Sequence, residues 1–215
     1  MASIERYAHS DLHGLSQRVS AIVQRGGVVA IPTETFYGLG VNPFDEQAVS
    51  RLLRIKGRSD GKPVLVLIGS LDQLPRLAQN VPPVARILID AFWPGPLTIL
   101  FPALPSLPRN LTAGTGTVGV RLSSCEPLVA LLRQVGPLTG TSANRSNQPS
   151  PQTALMVEQD LGQAVDAIID AGATPGEFPS TVIDVQSPIR IIREGAVSRQ
   201  MIQNVLQTHG VSLAE

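Results

Sequence analysis

Between Arg51 and Lys62, in the stretch RLLRIKGRSDGKP, five cations (Arg51, Arg54, Lys56, Arg58 and Lys62) face one acid, Asp60. The chain has fifteen arginines but only two lysines, and both lysines fall here. Two readings stay open. Cations in the last turn of a helix are favoured by its dipole, which covers Arg54 and Lys56 but fades within a turn. Compact ammonium groups on flexible stems also suit a polyphosphate approached from several directions.

Hydroxyls and amides gather in three further places. VVAIPTETFYGLG (Val28 to Gly40) is an apolar run that ends in Thr33, Glu34 and Thr35, then two glycines, which is more polarity than a turn requires. GPLTGTSANRSNQPSP carries Thr139, Thr141, Ser142, Asn144, Ser146 and Ser150 after a short apolar segment. Such donors on a glycine-rich backbone can cradle phosphate oxygens or a nucleoside; Ser150 alone reads more simply as a helix cap. FPSTVIDV places Ser180 and Thr181 just before a strand, and IRIIREG places Arg193 just after one. VGVRL embeds Arg121 in an apolar run, either as a structural ion pair or as a fork for a ligand carboxylate.

The usual bases and nucleophiles are absent from these clusters. His9, His13 and His209 lie towards the ends of the chain, Cys125 has no histidine pattern beside it, and no spacing resembles a metal site. Neither GxGxxG nor GxxxxGK[ST] occurs. Cations, hydroxyls and amides without a strong base suit a site that positions phosphates and stabilises charge.

These residues need elements to hold them. Leu12, Leu15, Val19 and Ile22 share one helical face, stopped by Gly26 and Gly27; Val28–Ile31 reads as a strand. Asp45 can cap a helix carrying Ala48, Val49, Leu52 and Leu53 that ends near Gly57. VLVLI (Val64–Ile68) reads as a strand covered on both faces, and PPVARILIDAFW as a short helix broken by WPGP before another strand. VGVRL, VDAII, TVIDV and IRIIR are further strands; helices are expected from Glu126, from Ser150 and Pro151, and from Ser198. Pro102–Thr117 reads as a long surface loop. The pattern is a single α/β domain over 1–215 around one largely buried, mixed sheet. In open sheets of this kind ligands sit beyond the carboxyl ends of strands, where PTET, TSAN and Arg193 all fall.

Bulk composition agrees with a soluble globular protein: 43% apolar, 16% charged and zero formal net charge. No global field would draw the chain onto nucleic acid or an acidic membrane, and no run is long enough for a membrane span. One cysteine and no signal-peptide layout fit a cytoplasmic protein.

PTETFYGLG, KGRSDGKPVLVLI, WPGPLTILF, VGVRL, TSANRSNQPS, PSTVIDV and IIREG occur here in the order found in YrdC-like threonylcarbamoyl-AMP synthases. The resemblance runs from about Gly14 to Gly195, with a C-terminal helix expected over about 198–208. It implies a YrdC-like α/β fold: a twisted, mixed parallel and antiparallel sheet flanked by helices around an open concave crevice. It implies synthesis of L-threonylcarbamoyladenylate and pyrophosphate from L-threonine, bicarbonate and ATP. That product feeds the N6-threonylcarbamoyl modification of tRNA adenosine 37 through a transfer machinery, with weak tRNA binding conceivable. Magnesium would come with the nucleotide, with no tightly held metal.

By the same resemblance Lys56 and Arg58 would be catalytic, facing the ATP phosphates. Thr35, Arg121, Thr141 and Ser180 would bind threonine, with Arg121 on its carboxylate. Thr33, Arg58, Lys62, Thr117, Ser142, Asn144, Ser150 and Arg193 would bind the nucleotide, and Gly38 and Gly40 would allow close backbone approach. The sequence departs from the family pattern at Ser59, where a proline is usual, and at Asn147, where a glycine is usual. It departs again at Leu67, where longer relatives carry histidine, and it is too short for those relatives' second domain. Two other functions compete: an RNA-binding module without catalysis, and a carbamoyl-AMP former like the related domain of hydrogenase-maturation carbamoyltransferases.

Overall fold

The computed structural model describes residues 2–57 and 63–214. In chain order the elements are β1 (Ser3–Arg6), α1 (Leu12–Gln24), β2 (Val29–Ile31), β3 (Gly38–Gly40), α2 (Glu46–Lys56) and β4 (Val66–Ile68). There follow α3 (Pro83–Phe92), β5 (Leu97–Pro102), α4 (Arg109–Thr112), β6 (Thr117–Leu122), α5 (Glu126–Val135), β7 (Leu138–Thr139) and β8 (Thr141–Ser142). The chain closes with α6 (Ala154–Leu161), β9 (Ala167–Asp170), β10 (Thr181–Asp184), β11 (Arg190–Arg193) and α7 (Arg199–Thr208).

Local chemistry sets the elements nearest the site. The Asp45 carboxylate accepts from the backbone N–H groups of Gln47 and Ala48, at 2.9 and 3.1 Å, and so starts α2. Gly57 ends it with φ of 59°, a left-handed cap, and its N–H returns to the Arg54 carbonyl. Leu15, Val19, Ile22 and Val23 of α1 pack with Leu128, Leu131 and Leu132 of α5 on one side of β2. Val28 and Ala30 face the larger core on its other side.

The strands form two sheets, where the sequence suggested one. A five-stranded sheet runs β1-β9-β2-β3-β8 and a six-stranded sheet runs β11-β10-β5-β6-β4-β7, both with parallel and antiparallel pairs. The division depends on strands too short to carry a readable period, β3, β7 and β8. The chain passes from one sheet to the other at Gly140, between β7 and β8. A Cβ there would lie 2.5 Å from Leu67 Cδ1, so the crossing fits a glycine. Beside it, the Thr139 hydroxyl donates to the Leu39 carbonyl and accepts from Val41 N–H, tying the sheets together.

Two more expectations are corrected. Pro102–Thr117 is not merely surface loop: it contains α4 and buries Leu107 and Leu111, and Asn110 pins it to α2 through Glu46 O and Ser50 Oγ, each at 2.9 Å. The helix expected from Ser150 and Pro151 begins at Ala154, capped by the Thr153 hydroxyl. The carbonyls of Pro151 and Gln152 are instead taken by the N–H groups of Tyr37 and Thr174, which holds that segment extended.

Candidate functional site

The register of the six-stranded sheet sorts its residues onto two faces. Val182 pairs with Thr98 and with Arg193, Leu100 with Gly119, Pro102 with Thr117, and Leu67 with Arg121. Side chains alternate along a strand, so Thr117, Gly119, Arg121, Thr98, Ser180, Val182 and Arg193 all emerge on one side. The reverse side carries Ile99, Phe101, Val118, Val120 and Ile183, which are buried core. On the polar side Leu65, Leu100, Thr117 and Val182 are only half-buried, so this side is partly open. Gly119 leaves a side-chain-free position in its floor: an added Cβ would touch Leu100 and Thr98 at 3.2 Å.

Arg121 is the buried charge of this face, 3% exposed. Its Nη1 donates weakly to Thr35 Oγ1 at 3.5 Å and lies 3.7 Å from Glu34 Oε1, while its Nε has no partner among the described residues. Burial pulls its pKa down from the usual arginine value and Glu34 pulls it back up. The acid Glu34 therefore stands near Arg121 at ion-pair distance but beyond hydrogen-bond distance.

The PTET turn folds around Thr33. Its hydroxyl donates to the Phe36 carbonyl at 2.7 Å and accepts from the N–H groups of Thr35 and Phe36. With that proton committed, the 2.9 Å contact between the two threonine hydroxyls has Thr35 as donor. Thr33 is therefore the organiser of the turn, and Thr35 stands between it and Arg121. The buried Tyr37 phenol donates to the Gly172 carbonyl, fastening the turn to the end of β9. Burial raises its pKa to about 12, so it stays a donor.

Lys56 ends α2 with its side chain turned inward, 4% exposed. Its Nζ donates to Asn144 O, Ser142 O and Asn144 Oδ1 at 2.5, 2.6 and 2.7 Å. A longer contact, 3.4 Å, reaches the Ser142 hydroxyl. These bonds make Lys56 a clamp on the TSAN loop. Ser146 N–H returns to the Lys56 carbonyl, and Asn147 takes φ of 69°, the left-handed turn a glycine would otherwise make. Arg58, Lys62 and Ser59 lie outside the described residues.

The clusters are joined. Ser142 pairs with Gly38 and Thr141 with Leu39, and Ala143 N–H reaches the Tyr37 carbonyl, so TSAN lies against the strand that leaves PTET. Gly38 and Gly40 serve that contact: their missing Cβ atoms make room for Thr141 O, and for Leu138 and Ile31. Ser150 is half-buried next to the segment that binds Tyr37 N–H. Across the face, Arg193 donates to the Ser180 carbonyl at 2.8 Å and to its hydroxyl at 3.2 Å, and that hydroxyl meets Thr98 Oγ1 at 3.0 Å. Thr117 stands at the far rim, bonded to Thr115.

Thr98 and Ser123 were not singled out by sequence, and Glu34 only as part of the polar end of the PTET run. Glu34 Oε2 accepts a short hydrogen bond from the Ser123 hydroxyl, which in turn accepts from Cys125 N–H. The signal for Thr98 was one hydroxyl inside an otherwise apolar strand. Among the described residues no three His, Cys, Asp or Glu side chains cluster as metal ligands. A shallow hollow lined by Glu46, Gln47, Ser50 and Arg54 shares no residue with the polar face.

The Sua5/YciO/YrdC family profile, described as "Telomere recombination", matches residues 21–195. The chain is 40% identical over 88% of its length to a threonylcarbamoyl-AMP synthase of Pyrococcus abyssi, and spans 56% of that relative. It is 37% identical over 80% of its length to a threonylcarbamoyl-AMP synthase of Thiobacillus denitrificans, covering 92% of that protein. The crystal structure of P. abyssi Sua5 complexed with L-threonine superposes with a TM-score of 0.90 at 35% identity, over 100% of this chain and 62% of that one.

Proposed function

The chain belongs to the Sua5/YciO/YrdC family, and on that footing we propose that it forms L-threonylcarbamoyladenylate and pyrophosphate from L-threonine, bicarbonate and ATP. The observation that carries this reading is Arg121, a guanidinium 3% exposed whose Nε has no partner among the described residues, on a sheet face lined by Thr117, Ser180 and Arg193. A buried cation with only long contacts among the described residues suits an anionic ligand, and the fork geometry matches a carboxylate.

Arg121 binds the threonine carboxylate, with Thr35, Thr141 and Ser180 around the amino acid. Thr117, Ser142, Asn144, Ser150 and Arg193 meet the nucleotide; Arg58 and Lys62 meet its phosphates. Lys56 fixes the TSAN loop on which Ser142 and Asn144 sit. Thr33 sets the turn that presents Thr35. The threonine amine and bicarbonate give a carbamate, whose oxygen attacks the α-phosphorus as pyrophosphate leaves. Holding that labile carbamate beside ATP supplies proximity, and the cations offset the charge on the leaving group. Magnesium travels with ATP as part of the substrate.

The protein acts in the cytoplasm and hands its product to the machinery that modifies tRNA. Purified protein given magnesium, ATP, bicarbonate and threonine should release pyrophosphate, and omitting threonine or bicarbonate should abolish the release. Release that persists without bicarbonate would exclude this function.

A further inference from the structure

Two buried atoms near the PTET turn, Arg121 Nε and Glu34 Oε1, lack hydrogen-bond partners among the described residues. They belong to opposite charges whose nearest atoms are 3.7 Å apart, with side chains 4% and 12% exposed. An ion pair serving stability alone would close to about 2.8 Å and satisfy both groups. Here each partner is anchored from its own side. Glu34 Oε2 is held by Ser123, itself fixed to Cys125 N–H in the turn before α5. Arg121 rises from β6 and leans on Thr35. An unsatisfied donor cation and an unsatisfied acceptor anion, held apart in one wall, match a ligand with a carboxylate and an ammonium on neighbouring atoms.

Resting on the amino-acid substrate proposed above, we infer that Glu34 is the acceptor for the substrate's α-amine and the base that takes its proton. Bound threonine is an ammonium ion and cannot attack carbon in that state. One N–H bond breaks, its electron pair stays on nitrogen, and the proton passes to Glu34 Oε1. Nitrogen then bonds to the bicarbonate carbon. The C–O bond to the bicarbonate hydroxyl breaks, and that hydroxide leaves as water with the second amine proton. The carbamate remains, and Glu34 returns its proton to solvent. The charged and titratable groups facing Glu34 are Arg121 from β6 and the Cys125 thiol ahead of α5. Burial pushes that thiol up, so it stays neutral while the amine and Glu34 exchange the proton.

The test has a binding arm and a kinetic arm. Calorimetry compares L-threonine with 2,3-dihydroxybutyrate, which has a hydroxyl in place of the amine. Native protein should prefer threonine by about tenfold or more, and Glu34→Gln should reduce that preference to about threefold or less. In the kinetic arm, pyrophosphate release by Glu34→Gln should fall by about 10²–10⁴-fold near neutral pH. It should recover as pH rises and solvent deprotonates the amine. A Glu34→Gln protein that keeps the threonine preference, or loses rate equally at every pH, overturns the inference. Native protein that binds both acids equally overturns it without any variant, so misfolding of Glu34→Gln cannot shield it. If native protein makes no adenylate, the synthase reading fails, whereas the binding arm still judges Glu34.

Discussion

Arg121 and Lys56 are both nearly buried cations, yet they do opposite things with their donors. Arg121 has a buried Nε with no partner among the described residues, whereas Lys56 donates to the TSAN loop. Their substitutions should separate accordingly. Arg121→Lys cannot reproduce two parallel hydrogen bonds to a carboxylate, so it should raise the KM for threonine about tenfold or more while leaving that for ATP within about threefold. Threonine amide, lacking the carboxylate, should lose little further in the variant; equal losses for acid and amide would count against the carboxylate fork. Lys56→Ala leaves buried acceptors unmatched, at a cost of about 1–3 kcal/mol. At about 2–4 °C per kcal/mol for a chain of this size, the Tm should fall by several degrees together with turnover. A Lys56→Ala protein with native Tm and no turnover would return the ammonium to the phosphates.

At the scale of elements, what matters is how strand ends are held against one another. Gly195 follows β11, and a Cβ there would lie 2.1 Å from the Pro179 carbonyl oxygen and 2.9 Å from Ser180 C. Backbone atoms cannot rotate away as a side-chain tip can. Gly195→Ala should therefore cost about 1–3 kcal/mol and displace the Ser180 carbonyl that holds Arg193. A thermal melt and the KM for ATP should both register the change, and a variant native in both would refute this packing. Elements whose signals are local were legible in the sequence. Asp45 and Gly57 bracket α2 by cap chemistry alone, and TVIDV and VGVRL declare themselves as strands. The start of α6 was not legible, because Tyr37 and Thr174, distant in sequence, occupy the carbonyls of Pro151 and Gln152. Among site residues, Arg121, Ser180 and Arg193 stood out as polar groups at strands. Glu34 and Thr98 acquire meaning only from Ser123 and Ser180, which the fold brings beside them.

The whole molecule assembles its polar face from strands far apart in the chain, and it does so with zero formal net charge. That balance leaves no net field to draw in a long nucleic-acid backbone. No helix among the described residues is long and apolar enough to cross a membrane. The proposed reaction joins threonine, bicarbonate and ATP into one product on the polar face. Mass spectrometry of a reaction supplied with carbon-13 bicarbonate tests it most directly. The expected product is threonylcarbamoyl-AMP carrying the labelled carbon, formed only when threonine is present. ATP turnover that yields no such adenylate, or an adenylate without the label, would contradict it.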